Sequence, residues 1–365
     1  MKVTILKEHL TSIIGLVERA AGSGSQLPIL NNILIETEDA QLVFTATNLE
    51  FAVQATIEAS VEEHGKVAVP AVLFSQLIQA LRDERITLSS EELGLEISSD
   101  RYSGTLAGVA LDDFPSIPQR GDDVSIVTLP GSLLRETLSR VVFAAQGTSD
   151  FSPELSSVLF LGTNDSLKLV ATDSFRLAES TLPQTSLEGD DIRALVPVKV
   201  ASDLSRFLRD DDEVECIFEE HQAMFVTKRL QLTTRLLAVQ FPDYEQIIPN
   251  EFESKITMDK QELLAALKLA SIFADKGSEV HLTVQEKSVV LSASRDAVGK
   301  HTITVSAQLS EPFNEVITVN WRQFFDGLKA LSTESVILGL SADKPTLMWG
   351  AGDHSYRYLT AQLVS

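Results

Sequence analysis

The sequence predicts an α+β protein made of three copies of one unit, each about 120 residues long. A short strand followed by a helix opens each copy: "VTILKEHLTSIIGLVERAAG" from Val3, "VTLPGSLLRETLSRVVFAAQ" from Val127 and "ITMDKQELLAALKLASIFAD" from Ile256. Thr4, Thr128 and Thr257 mark the common register, 124 and 129 residues apart. A repeat at a nearly constant spacing indicates the architecture more firmly than any single motif does.

A second strand and helix recur within each copy, in "VAVPAVLFSQLIQAL", "ALVPVKVASDLSRFL" and "ITVNWRQFFDGLKAL". Pro70 and Pro197 suit a first helical turn, where the missing N–H costs no hydrogen bond. Asn320 takes the equivalent place in the third copy and is suited to cap the helix. With the helical spacing of apolar residues, these elements predict six helices, over residues 7–20, 71–85, 131–146, 197–209, 259–276 and 320–333.

Alternating β-rich stretches connect the two helices of each copy and also follow the second helix. Two helices packed on a many-stranded sheet form an α+β layer arrangement. The first two copies end in "DDFPSIP" and "VQFPDYEQIIP", which place Phe114 and Phe241 127 residues apart. We therefore predict subdomains over residues 1–120, 121–250 and 251–365. Three such copies in series would form an arc, which a head-to-tail dimer closes into a ring.

Charge is distributed unevenly along the chain. The whole chain has a net charge of −22, which on average repels nucleic acid and anionic membranes. The six predicted helices contain 14 Lys or Arg and 10 Asp or Glu, a net charge of +4 that leaves −26 on the rest. A weakly positive helical surface would contact phosphates without reading bases. Its candidate residues are Arg19, Arg82, Arg140, Lys199, Arg206, Arg209, Lys268 and Lys329. For any one of them, an ordinary solvated helix face is the alternative.

Histidine and cysteine side chains suited to catalysis or metal binding are few. The six histidines are scattered, and no two have the spacing of a helical zinc site. The one cysteine, Cys216, alternates with Val214 and Phe218 and is predicted to be a buried structural thiol. Carboxylates are plentiful, so counting leaves Asp or Glu pairs for metal binding or acid–base work open, but no motif calls for a metal or a cofactor and we expect neither. The chain also lacks a recognisable signal peptide and an apolar run of ~18 residues, which predicts a cytoplasmic protein without membrane contact.

The stretch "LVATDSFRLAES" places an aspartate, a serine and an arginine within four residues. Asp173, Ser174 and Arg176 would suit a catalytic site, a phosphate clamp or a turn between strands. A hydrolase site lacks a nearby general base, and nothing activates the serine. The sister stretches "FTATNLEF" and "LSASRDAV" favour a strand-to-strand turn that occurs three times. A monomeric β-rich interaction scaffold without DNA is a further alternative.

The triplication, "ATDSFRLA" and "FPDYEQIIP" together resemble one family over the whole chain, the bacterial DNA polymerase III β subunits or sliding clamps. The resemblance implies a non-catalytic, head-to-tail homodimeric ring around double-stranded DNA. Helices would line its hole and sheets would form its outside. It also implies that short linear peptides of the replicative polymerase, the clamp loader and repair proteins bind to the ring.

The resemblance further implies two sets of site residues. Carried over by motif, the peptide pocket consists of Leu155, Thr172, Ser174, Phe175, Arg176, Leu177, Pro242, Ile247 and Leu359. Aliphatic walls would accept a Leu or Phe anchor, while Arg176 and a hydroxyl orient the peptide. The matching ring-interface residues are Leu106, Ile272 and Phe273, unless these belong to the core of their own copies.

Two departures from the family bear on the pocket. Ser174 and Phe175 stand where the family often has Gly-His or Gly-Tyr. The chain ends in "YLTAQLVS" rather than in a Met-Pro-Met-Arg-like tail. A preference for different partner peptides is the expected consequence.

Overall fold

The computed structural model describes residues 1–22, 27–91, 94–145, 151–183, 186–275, 277–296 and 299–363. The first third of the chain contains β1 (Lys2–Leu6), α1 (Lys7–Ala20), β2 (Asn32–Glu38), β3 (Gln41–Thr47), β4 (Phe51–Glu58), β5 (Ser60–Glu63), β6 (Lys66–Pro70), α2 (Ala71–Ala80), β7 (Arg85–Glu91), β8 (Gly94–Ser98) and β9 (Ser103–Ala107).

The middle third repeats this order, and the last third repeats it with one strand fewer between its helices. The middle third contains β10 (Ser125–Pro130), α3 (Gly131–Val141), β11 (Ser157–Gly162), β12 (Ser166–Thr172), β13 (Arg176–Pro183), β14 (Leu187–Glu188), β15 (Ile192–Pro197), α4 (Val198–Phe207), β16 (Glu213–Phe218), β17 (Gln222–Val226) and β18 (Leu230–Arg235). The last third contains β19 (Ser254–Asp259), α5 (Lys260–Ala270), β20 (Glu279–Gln285), β21 (Ser288–Arg295), β22 (Gly299–Leu309), β23 (Val316–Asn320), α6 (Trp321–Ala330), β24 (Ser335–Leu340), β25 (Thr346–Gly350) and β26 (Tyr356–Thr360). Short 3₁₀ turns lie at Pro28–Asn31, Val142–Ala144, Pro153–Ser156 and Glu245–Ile247.

All six predicted helices are present in the described part of the chain, and most are shorter than predicted. The second helix ends at Ala80 because Arg85 already belongs to β7, where it pairs with Leu6 of β1. The predicted helix ends at residues 146 and 276 lie outside the described residues. The predicted cap of the last helix is confirmed: the Asn320 side chain accepts a hydrogen bond from the backbone N–H of Arg322 at 3.0 Å.

The described strands form three antiparallel sheets. Their orders are β5-β1-β7-β8-β9, β14-β10-β16-β17-β18-β4-β3-β2-β6 and β15-β11-β12-β13-β26-β25-β24-β19-β22-β21-β20-β23. The chain divides into two compact units. Unit 1 comprises residues 1–135, 186–191 and 203–236 and holds the first two sheets. Unit 2 comprises residues 136–185, 192–202 and 237–365 and holds the third.

One strand pairing recurs between successive copies. In unit 1, β4 of the first copy pairs with β18, the last strand of the second copy, with Val53 opposite Leu232. In unit 2, β13 of the second copy pairs with β26, the last strand of the third copy, with Leu177 opposite Leu359. The strands left over by this pattern are β22 of the third copy and β9 of the first copy.

Both leftover strands have an open edge in the described part of the chain. β9 ends its sheet, with β8 as its neighbour. β22 pairs with β21 along its length, but it pairs with β19 only near its end, over Ala307–Leu309. The first half of β22 therefore presents unpaired backbone groups on one side.

The buried residues agree with the apolar pattern of the sequence. In unit 1, α1 packs on the sheet through Leu10, Ile14 and Val17, which are at most 1% exposed. Cys216 is fully buried on β16, as predicted, and its burial raises the pKa of the thiol. None of the described helices is both long enough and apolar enough to cross a membrane.

Candidate functional site

The middle-copy turn, residues 172–176, joins β12 to β13 in unit 2. The hydroxyl of Thr172 donates to the carbonyl of Arg176 at 2.7 Å and accepts from the N–H of Ser174 at 3.2 Å. Ser174 adopts the left-handed region with a φ of 74°. A short polar side chain tolerates this backbone conformation better than a bulky one does. The turn exposes Ser174 and Phe175 at its tip.

Asp173 holds the turn together and has no catalytic partner in it. Its Oδ1 accepts hydrogen bonds from the backbone N–H groups of Phe175 and Arg176, at 3.0 and 2.9 Å. Its Oδ2 accepts from Nε of Arg176 at 2.9 Å. This is an Asx-type turn, in which a side chain replaces a backbone acceptor. The turn interpretation of the sequence is thereby confirmed for the middle copy.

Arg176 is fixed by groups from distant parts of unit 2. Its Nη1 donates to Oδ2 of Asp326 on α6 at 2.9 Å, and its guanidinium lies 5.6 Å from the ring centre of Phe143. The ring of Phe143 packs against Tyr358 on β26, with ring centres 5.7 Å apart. The arginine side chain is 16% exposed. A clamped, partly buried guanidinium is preorganised to meet a ligand with little further loss of side-chain freedom.

Leu177 and Leu359 form the apolar floor below this turn. They face each other across β13 and β26 and are 1% and 3% exposed. They belong to a core cluster whose other members are Leu159, Val170, Leu195, Phe241, Tyr244, Ile248 and Leu347. Leu161, Leu237, Phe252 and Trp349 pack against this cluster. The floor is therefore part of the hydrophobic core of unit 2.

The remaining predicted pocket residues differ in exposure. Phe175 is 62% exposed and Ile247 is 50% exposed, although large apolar side chains are usually buried. Pro242 is also exposed, and Leu155 is partly buried in the turn Pro153–Ser156. The structure thus brings Thr172, Arg176, Leu177 and Leu359 together through the β12–β13–β26 pairing.

Several residues that support the site cannot be predicted from local sequence patterns. Asp326 lies 150 positions from the arginine it binds, and Phe143 and Tyr358 come from two other segments. No local pattern connects these positions. The turn itself is a local feature that the sequence predicts, because an Asp side chain readily accepts hydrogen bonds from the backbone N–H groups that follow it.

The predicted DNA-facing residues lie on or directly after helices. Arg140 has a side chain only 14% exposed; it pairs with Glu136 at 2.6 Å and lies over the ring of Tyr356. Arg19 and Arg206 both approach the buried Asp203, at 3.2 and 3.9 Å. The other five are exposed, at Arg82, Lys199, Arg209, Lys268 and Lys329.

Two of the three predicted interface residues, Leu106 and Phe273, lie on or against the strands with open edges. Leu106 is on β9 and is partly buried. Ile272 follows α5 and is 60% exposed. The ring of Phe273 stacks on the imidazole of His301 in β22, with ring centres 5.1 Å apart and planes at 8°.

Metal-binding geometry does not occur in the described part of the chain, where no group of three or more His, Cys, Asp or Glu side chains is arranged to hold an ion.

Three family profiles match the sequence in succession. The N-terminal, central and C-terminal domains of the DNA polymerase III beta subunit match residues 1–118, 128–243 and 245–363.

Known proteins resemble the chain over its full length. Beta sliding clamps of Synechocystis sp. and Staphylococcus aureus are 29% and 27% identical to it, each aligned over 98% of both chains. The crystal structure of a Pseudomonas aeruginosa sliding clamp bound to griselimycin matches with a TM-score of 0.92 at 26% identity, over 100% of both chains. A Bacillus subtilis sliding clamp matches with a TM-score of 0.92 at 25% identity, over 100% of this chain and 99% of the other.

These matches show that the molecule has the three-domain clamp fold. The chain belongs to the DNA polymerase III beta subunit family. It is a DNA sliding clamp, a processivity subunit of the polymerase without catalytic activity of its own.

Proposed function

We propose that two copies of this chain close head to tail into a ring around double-stranded DNA. The observation that carries the proposal is the strand-pairing pattern. The pairings β4–β18 and β13–β26 leave β22 of the third copy and β9 of the first copy without the equivalent partner. Pairing β9 of one chain with β22 of another satisfies both edges at once, and a two-fold arrangement makes two such junctions and closes.

Side chains near these edges support the same junction. Leu106 on β9, with Ile272 and Phe273 beside β22, would supply an apolar contact next to the new backbone hydrogen bonds. Unprotected strand edges are a liability that proteins normally cover. We therefore favour a homodimer over a monomeric scaffold, with one subdomain each over residues 1–120, 121–250 and 251–365.

In this ring the helices face the DNA and the sheets face outward. Arg19, Arg82, Arg140, Lys199, Arg206, Arg209, Lys268 and Lys329 would then contact phosphates without sequence preference. Arg140 would contribute least, because its side chain is largely enclosed. Few strong contacts suit a protein that must slide along the duplex in the cytoplasm.

The peptide site lies, in this proposal, at the middle-copy turn. Phe175 and Ile247 present apolar surface, Leu177 and Leu359 form the floor, and Arg176 is held ready for a polar group of the peptide. Leu155, Thr172, Ser174 and Pro242 complete the rim. Short segments of the replicative polymerase, the clamp loader and repair proteins would bind here, with Leu or Phe as anchors.

Ring closure is tested on DNA. We expect protein placed on circular duplex by its clamp loader to stay bound through gel filtration and to be released when the circle is cut once. Ile272→Asp introduces a charge into the junction, so this variant should sediment as a monomer near 39.9 kDa and be retained on neither form.

Val72→Asp is the matched control, because Val72 on α2 is exposed to a similar degree, 47% against 60% for Ile272. It should remain dimeric. Retention of the wild-type protein on linear DNA would contradict encirclement, and a dimeric Ile272→Asp variant would contradict the junction.

Peptide binding is tested with exposed residues first. We expect Phe175→Ala and Ile247→Ala each to weaken binding of a Leu- and Phe-containing peptide about tenfold by calorimetry, since each removes about 1.4 kcal/mol of apolar contact. Val316→Ala, which shortens another half-exposed side chain in unit 2, should leave the affinity unchanged. Leu177→Ala should weaken binding too, but it also costs about 3 kcal/mol of stability because the side chain is buried. A wild-type affinity in Phe175→Ala, Ile247→Ala and Leu177→Ala, as in the Val316→Ala control, would place the pocket elsewhere.

A further inference from the structure

Unit 1 contains a turn with the same hydrogen bonds as the middle-copy turn. In this first-copy turn, residues 47–51, the hydroxyl of Thr47 donates to the carbonyl of Phe51 at 2.9 Å and accepts from the N–H of Leu49 at 3.0 Å. Oδ1 of Asn48 accepts from the N–H groups of Glu50 and Phe51 at 3.1 and 2.8 Å. Asn48 thus does in the first copy what Asp173 does in the middle copy.

Leu49 occupies the position that corresponds to Ser174. Its φ is 73°, against 74° for Ser174, so a bulky residue is held in the left-handed region that normally favours glycine. Its side chain is 48% exposed. Backbone strain of this kind is retained where the surrounding structure enforces it, and it often accompanies a binding site.

A cavity of about 750 Å³ opens beside the first-copy turn, within the size range of ligand sites. Its walls come from the turn, from residues 115–123, which begin within the first copy's "DDFPSIP" segment, and from β17, β18 and the residues before β17. The N–H of Gly121 donates to Oε1 of Glu219 at 2.9 Å and so ties two of these walls together. The middle-copy turn also has an "FP" segment and a next-copy strand near it, since Phe241 and Leu359 share a core cluster with Leu177.

This cavity is acidic, whereas an apolar peptide anchor needs an uncharged lining. Five carboxylates line it against one arginine, Arg235, and one histidine, His221. They are Glu50, Asp122, Asp123, Glu219 and Glu220. Glu50 occupies the position of Phe175 in the middle-copy turn, so the most exposed apolar residue of one site is replaced by an acid in the other.

A buried hydroxyl in the cavity wall also lacks a partner. Thr233 of β18 is 4% exposed, and its Oγ1 has no hydrogen-bond partner among the described residues. Buried polar groups are normally satisfied. The acidic lining and the one exposed leucine at the mouth of the cavity suit an extended ligand that brings positive charge and an aliphatic side chain.

We propose that this first-copy cavity is a second docking site, which binds a short, extended, basic peptide segment of a partner protein. Carboxylates at its rim would meet Lys or Arg side chains, and Leu49 would contact an aliphatic neighbour of those side chains. The site is separate from the middle-copy turn and does not depend on the peptide site proposed there.

The test uses the full-length protein and two fluorescent peptides. One peptide alternates Leu with Arg, and the other is rich in Leu and Phe without charge. We expect both to bind at the same time in fluorescence anisotropy titrations. Phe175→Ala should weaken only the uncharged peptide.

Charge removal inside the cavity is compared with equal charge removal outside it. The variant Glu50→Gln, Asp122→Asn and Glu220→Gln should weaken the basic peptide at least about tenfold, since three favourable ion contacts are lost. The control neutralises three exposed carboxylates of unit 1 away from the cavity, Glu38→Gln, Glu58→Gln and Glu63→Gln, and should change the affinity less than about twofold.

A third variant separates binding from folding. Leu49→Gly relieves the left-handed strain, so it should not lower the thermal midpoint, yet it should weaken the basic peptide by several-fold. Equal weakening by both triple variants would show general attraction to an acidic protein and overturn the proposal. Loss of the basic peptide in Phe175→Ala would also overturn it, because that peptide would then occupy the middle-copy site.

Discussion

Replacing Gly327 with alanine is expected to destabilise unit 2 by about 3 kcal/mol, at the upper end of the usual cost of overpacking. Gly327 lies inside α6, where alanine is normally preferred over glycine by about 1 kcal/mol. Helix propensity therefore predicts a gain, whereas packing predicts a loss. A Cβ at this position would lie 2.3 Å from Cδ1 and 2.4 Å from Cε1 of Tyr358.

The ring of Tyr358 has no room to move away. The residue is fully buried, and its backbone position on β26 lies opposite Ala178 of β13 and Met348 of β25. Its hydroxyl donates to the carbonyl of Gln323 at 2.8 Å, and its ring packs on Phe143. Any shift must break one of these contacts or move α6 away from the sheet.

Denaturant unfolding followed by circular dichroism and tryptophan fluorescence measures this effect. Both tryptophans of the chain, Trp321 and Trp349, belong to unit 2, so the fluorescence reports that unit alone. Gly15→Ala is the control: the nearest atom to its Cβ would be a carbon of Phe207 at 4.0 Å, so this helix substitution should be neutral or stabilising. Stabilisation by Gly327→Ala would show that α6 and β26 are not packed as described.

The same contact links the fold to the site. Tyr358 is adjacent in sequence to Leu359 and packs on Phe143, which in turn lies against Arg176. A displaced ring would therefore disturb both the floor and the cation of the middle-copy turn. We expect Gly327→Ala to lower peptide affinity even under conditions in which unit 2 remains folded.

Much of this fold could be predicted from local patterns. Helical periodicity predicts both ends of α1 correctly, and the alternation of apolar residues identifies the strands around "LVATDSFRLAES". Asn320 was recognisable as a cap because capping depends on a residue and its immediate neighbours. Helix ends were less predictable: α2 stops where β7 pairs with β1, a contact between segments some 80 residues apart.

The site was predictable only in part, for the same physical reason. The Thr-Asp turn is a local arrangement, but the partner of Arg176 on α6 depends on the tertiary fold. The burial of Leu177 was likewise decided by β26, a strand of the next copy. The third copy's "LSASRDAV" turn includes residues 297 and 298, outside the described residues, and its conformation remains a prediction.

Replacing Arg357 with methionine is expected to cost about 2 kcal/mol, because it leaves the carboxylate of Glu179 buried with a weaker partner. Glu179 on β13 is 3% exposed and lies directly opposite Arg357 on β26. The guanidinium binds Oε1 through both Nε, at 2.9 Å, and Nη2. The cost stays below that of a fully buried pair, since Arg357 is 39% exposed and Lys168 approaches Oε2 at 3.5 Å.

The ordering of variants distinguishes this explanation from a loss of packing. Lys168→Met removes the longer contact to the same carboxylate and should cost less than Arg357→Met in denaturant unfolding followed by tryptophan fluorescence. The double variant Glu179→Met with Arg357→Met removes the buried charge and should recover most of the loss. A double variant less stable than Arg357→Met alone would contradict an electrostatic origin.

This ion pair also matters for the register between two copies. Glu179 and Arg357 lie two positions from Leu177 and Leu359 on the same strands, and each pair is directly opposed. A slip of β26 by one residue against β13 would turn Leu359 to the other face of the sheet, away from Leu177. An apolar pair in that place would stabilise several registers equally, whereas a buried carboxylate accepts only the register that supplies a cation. We therefore expect the double variant to regain stability but to bind the Leu- and Phe-containing peptide more weakly than the wild-type protein.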